Sequence, residues 1–170
     1  MKRFNINYAH LVAALLGGLY FFSCAVNPTF GHLIDYVDLV IHEAGHVFMA
    51  PFGMFIYILG GSAFQVVVPS LFVGYFYFRR EYFSASMILL WVGYNIVNIS
   101  AYMGDAVSTQ MLLLGGEGVI HDWNYLLSAL GVLDYTHDLA SITHGFGMAV
   151  MIAAAAFCLK FSFSNEAHKV

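Results

Sequence analysis

His42-Glu43-Ala44-Gly45-His46 places the side chains that a zinc hydrolase needs in five consecutive positions. On a helix, imidazoles at i and i+4 project from one face and can hold one metal ion. A glutamate between them is placed to take a proton from a water that the metal acidifies. The other role open to such a pair is packing or hydrogen bonding between helices. A catalytic zinc keeps three protein ligands and one open position, so a third ligand has to come from elsewhere in the chain.

The metzincin extension does not supply it, because Met49 and Phe52 stand where that motif has Gly and His. Trp91, Asn95, Asn98, Tyr102 and Asp105 are spaced to lie along one face of a helix, and in lipid such a stripe must face inward. Asp105 is therefore the expected third ligand, with an inter-helix hydrogen bond as its structural alternative. Asn98 and Tyr102 are candidate hydrogen-bond donors to a developing oxyanion. The segment Glu117 to Trp123 offers the rival. There His121 is the alternative third ligand with Asp122 behind it in the second shell, unless Asp122 only caps the next helix and Trp123 anchors at the interface. Asp38, one turn before His42, either orients a histidine by accepting its second ring N–H or is solvated in the first turns of its helix. His137 and His144 fall on a later helix, where His144 ranks below these candidates. Cys24 and Cys158 sit in apolar runs as small hydrophobic side chains, with neither disulfide nor metal expected.

The surroundings of these residues are set by composition. Of 170 residues, 61% are hydrophobic and 9% charged, against about 45–50% and 25% in an ordinary soluble domain. A chain of this length buries too little volume to hide that excess, and its mean hydropathy of +0.77 excludes a disordered tail, a nucleic-acid binder and a secreted disulfide scaffold. An all-α integral membrane protein forming a single domain over 1–170 is expected.

Four transmembrane helices and one re-entrant element account for the apolar runs. The first, Tyr8 to Val26, approaches the length needed to cross a bilayer, and a cleavable signal peptide is its competing reading. The His42/His46 helix is expected over 35–51, with Asp35 suited to its N-terminus. Residues 53–69 contain two short runs of bulky and β-branched residues around Gly60-Gly61-Ser62, the pattern of a re-entrant β-hairpin, with a short re-entrant helix as the other form. One continuous helix from Phe52 to Phe78 with a glycine kink is the alternative. A long polar-striped helix follows over 82–114, and after a short amphipathic stretch, Trp123 to Leu133, the final span covers 139–161. If Asp35 and Gly115 both mark the outer surface, His42 and Asp105 lie about 10 and 15 Å below it and can meet.

The six basic residues form three clusters: Lys2 and Arg3, Arg79 and Arg80, and Lys160 with Lys169. Basic flanks stay cytoplasmic, so an even number of crossings separates the clusters and both termini are expected inside. Glu81 is read as an interfacial ion pair with the neighbouring arginines. Ionisable residues within a membrane segment are costly unless paired, and a bound Zn2+ accounts for three of them within one helix.

The arrangement resembles the site-2-protease family of intramembrane zinc metalloproteases, in particular its small forms without accessory domains. The resemblance covers about Asp35 to Asp122. It implies His42 and His46 as ligands, Glu43 as base, a membrane-embedded β-element after the motif, and Asp105 as an aspartate ligand from a later helix. That aspartate usually lies in an Asn-Pro and Leu-Asp-Gly type motif that breaks its helix, whereas here Gly104 and Ala106 flank Asp105 with no proline nearby. The expected activity is endopeptidase cleavage of a membrane-embedded protein or peptide within the lipid bilayer. The hairpin would pair with the unwound substrate and Gln65 would bind one of its carbonyls. The alternatives are a non-proteolytic zinc-binding membrane protein, a lipid-directed membrane hydrolase, and a membrane adaptor without metal.

Overall fold

The computed structural model describes residues 6–28, 31–111 and 119–163, and every regular element in them is helical. Six α-helices follow one another: α1 Tyr8–Val26, α2 Leu33–Met49, α3 Met54–Phe78, α4 Tyr82–Gly104, α5 Asp122–Ala129 and α6 Thr136–Ser162. Four are long and apolar enough to cross a membrane: α1, α3, α4 and α6 with the turn before it. The number of candidate spans among the described residues is the four expected from the sequence, but α3 is one of them in place of α2.

The expected hairpin at 53–69 is corrected to helix, as the continuous alternative has it. Gly60 and Gly61 do not turn the chain; they let two backbones touch. A Cβ on Gly60 would lie 2.6 Å from the Gly45 carbonyl oxygen of α2, and one on Gly61 would run into the His42 ring. Small residues at helix contacts serve this purpose in lipid, where close packing replaces hydrophobic attraction between helices. Pro69 lies inside the same helix and removes the bond to the Gln65 carbonyl without ending it.

Contacts along the helices show how α2 is placed. At one end of the bundle the Asn7 N–H donates to the Ser162 carbonyl at 2.9 Å, and Tyr82 stacks on Phe161. Arg79, Arg80 and Lys160 therefore share that basic end, while Lys2, Arg3 and Lys169 lie outside the described residues. α1 carries the chain to the opposite end, where the Asn98 amide donates to the Pro28 carbonyl. The chain then turns back inward. The Ile34 N–H meets the hydroxyl of Tyr20, and Asp35 accepts from the hydroxyl of Tyr94, near the midpoint of α4. The Asp35 carboxylate also accepts from the N–H groups of Gly31 and His32, which fixes the start of α2. From mid-bundle α2 runs antiparallel to α3 toward the far end, and Pro51 and Gly53, with φ of 94°, turn it into α3. The element that dips in and returns is thus residues 31–49.

α4 is the central helix, packed on α1, α3 and α6. Leu90, Tyr94, Val97, Met151 and Ala154 form the buried centre, and Gly93 and Gly147 allow α4 and α6 to approach. The helix expected over 82–114 stops at Gly104. The Asp105 side chain accepts from the Ser108 hydroxyl and from the N–H groups of Gln110 and Met111 at 2.9 and 2.8 Å, which offers the backbone a turn in place of further helix.

Candidate metal centre

α2 carries His42 and His46 one turn apart on the face that meets α3. The Gly45 and Gly60 contact brings the helices close enough for α3 to hold both rings. The Nδ1–H of His42 donates to Gln65 Oε1 at 2.8 Å, and that of His46 donates to the Tyr57 carbonyl at 2.9 Å. A carbonyl oxygen only accepts, so Nδ1 carries the proton and each neutral ring turns an Nε2 lone pair the other way.

Both lone pairs converge on Asp122. Its Oδ2 lies 2.9 Å from His42 Nε2 and 3.3 Å from His46 Nε2, and all three side chains are buried. Two lone pairs and a carboxylate oxygen at such separations repel unless a proton or a cation lies among them. Ligand atoms 2.0–2.1 Å from a tetrahedral zinc are about 3.3 Å apart, so this donor set fits a His₂Asp metal site with one position left open.

α4 and α3 position Asp122. The Asp122 N–H donates to the Tyr102 hydroxyl at 3.1 Å, the Trp123 indole donates to Ser62 at 3.2 Å, and the Asn124 amide donates to the Ala106 carbonyl at 2.7 Å. A cleft of about 480 Å³ opens in front of the three ligands. Glu43 lines it, exposed, together with Tyr102, Asn98 and the apolar Leu39, Ile58, Met111, Val119 and Ile120.

Several expected roles change. Asp105 is not among the side chains whose ligand atoms gather within 4.8 Å of one another; the carboxylate in that group is Asp122. Asp105 organises the end of α4 instead, and its own carboxylate lies 3.4 Å from His121 Nε2. His121, the alternative ligand, faces Asp105 and accepts the Asn124 N–H on Nδ1, capping α5. Gln65 and Asn98, expected to meet substrate, are engaged within the chain: Gln65 accepts from His42, and its amide lies 3.5 Å from Asn98 Oδ1. Asp38 holds the Trp91 indole at 2.7 Å rather than a histidine. The inward stripe is present, since Trp91, Asn98 and Tyr102 all turn to α2, α3 or α5 and Asn95 is fully buried.

His144 lies 3.4 Å from the Ser100 hydroxyl, outside the His42, His46 and Asp122 group. Cys24 and Cys158 are free and buried, and Glu117 lies outside the described residues. The Tyr57 carbonyl carried no signal in the sequence, because any residue offers one. Asp122 carried a signal of the wrong kind, as a helix cap. Comparison with protein-family models, with curated proteins and with solved structures finds no match for this chain.

Proposed function

We propose that this chain is a zinc-dependent intramembrane endopeptidase of the site-2-protease kind. The observation that carries the reading is the convergence of His42 and His46 on Asp122 beside Glu43, in a cleft between helices of a membrane bundle. When bound, zinc supplies a Lewis acid that acidifies a water and polarises a carbonyl. Glu43 takes the proton from the attacking water and returns it to the leaving amine, so the carboxylate is restored after each turnover. Tyr102 accepts the Asp122 N–H and keeps its own O–H free to donate to a developing oxyanion. The apolar lining of the cleft suits the side chains of a membrane peptide. With the basic end cytoplasmic, the cleft opens toward the opposite side of a bacterial inner membrane.

The test is metal content and cleavage of the full chain in detergent. Purified protein is expected to hold one zinc, and Glu43→Gln is expected to keep it while cleavage of a fluorogenic transmembrane peptide falls at least about 100-fold. Protein without stoichiometric zinc, or Glu43→Gln protein that still cleaves, would sink the reading. A second reading, hydrolysis of a lipid-like substrate, is favoured by one observation: the segment expected to pair with an extended peptide is helix. A phospholipid ester hydrolysed where the peptide is not would select it.

A further inference from the structure

Asp122 is the one ligand that does not lie on α2. It sits at the first residue of α5, an eight-residue helix, and its reach toward His42 and His46 depends on where that helix begins. The last turn of α4 grips this start at three points. The Tyr102 ring lies 4.4 Å from the His121 ring, the Tyr102 hydroxyl accepts the Asp122 N–H, and the Asp105 carboxylate faces His121 Nε2. His121 accepts the Asn124 N–H on Nδ1, so in the neutral ring the proton sits on Nε2, directed at Asp105. Nε2 is buried with no hydrogen bond within the usual limit, which leaves Asp105 at 3.4 Å as its ionic partner. Asp105 is itself fixed by Ser108, Gln110 and Met111.

We infer that Asp105 and His121 form a clasp that holds the start of α5, and with it Asp122, at the metal. Both are positioning residues, and the inference rests on the metal centre proposed above. Their work is done through one peptide bond: the His121 ring seated against Tyr102 and Asp105 anchors the backbone it shares with Asp122 beside the Tyr102 hydroxyl. An outer partner of this kind is worth about 10–100-fold in metal affinity.

The test is a zinc competition titration of full-length protein in detergent, with Co2+ as a spectroscopic probe. Asp105→Ala and His121→Asn are each expected to weaken zinc by about 10–100-fold, and the double variant by no more than the weaker single, because both act on one contact. Asn at 121 keeps an acceptor for the Asn124 N–H, so α5 stays capped and the melting temperature should hold while affinity falls. The Co2+ absorption of both variants should move toward that of Asp122→Ala. Wild-type affinity and an unchanged Co2+ spectrum in Asp105→Ala and His121→Asn would overturn the clasp and leave the metal centre standing. Failure of the wild-type chain to bind either ion would overturn the metal centre, and the clasp with it.

Discussion

The two histidines and the aspartate of the candidate metal centre reach the same point by different means. His42 and His46 lie within a 17-residue helix pressed against α3 through a glycine contact, and each ring is tied by Nδ1 to that neighbour. Asp122 comes on a short helix held by a few side chains from α3 and from the end of α4. One half of the site is therefore part of the bundle, and the other is attached to it. The bundle half should be hard to alter without loss of the fold, whereas the attached half should lose its ligand without losing the bundle.

Gly61→Ala is the largest expected blow to the bundle half. The added Cβ meets the His42 ring, including Cδ2 and Cε1 at 2.7 Å, and the ring cannot retreat without breaking its bond to Gln65. Overpacking of this kind costs about 1–3 kcal/mol. A fall in melting temperature is expected together with loss of measurable zinc by mass spectrometry. Retention of both would mean that the α2–α3 contact is looser than its geometry implies, and the contrast between the two halves would fail.

The same contact shows why sequence reading went part of the way. Composition was enough to make lipid the solvent, and i, i+4 spacing put His42 and His46 on one face before any fold was known. The stripe from Trp91 to Tyr102 likewise faces inward, since polar groups in lipid have nowhere else to go. Gly60-Gly61 was misread because glycine serves two unrelated needs, a turn and a close helix contact, and both leave the same letters among β-branched neighbours. That error moved the re-entrant element from 31–49 to 53–69. Asp105 and Asp122 were both acids expected near the outer end of the bundle, and which of them meets the histidines depends on the path of the chain after α4. Nothing local to either residue encodes that path. No helix-breaking proline stands near Asp105, and its carboxylate lies outside the group that His42, His46 and Asp122 form.

Gln65 allows a smaller and more selective test of the bundle half. Gln65→Leu removes the acceptor of His42 Nδ1–H and should weaken zinc by about 10–100-fold with the melting temperature little changed. Gln65→Glu keeps the acceptor and adds charge to it, which strengthens the hydrogen bond and raises the basicity of Nε2. Affinity in that variant should equal or exceed that of the wild-type chain. If Leu and Glu behave alike in the competition titration, the Gln65 contact does not tune the ligand, and the ring is fixed by packing alone.

The smallest expected effect is on the attached half and is read from the pH dependence of stability. Burial would raise the Asp105 carboxyl, but hydrogen bonds from Ser108, Gln110 and Met111 prevail and hold it below its ordinary value. A carboxyl depressed in the folded state contributes stability that is fully present above its unfolded pKa of about 3.9 and is lost as pH falls through the folded value. Thermal melts of the metal-free chain should therefore decline below about pH 4. In Asp105→Asn that decline should be shallower, and the variant should already be less stable at neutral pH, because an amide replaces a charged acceptor.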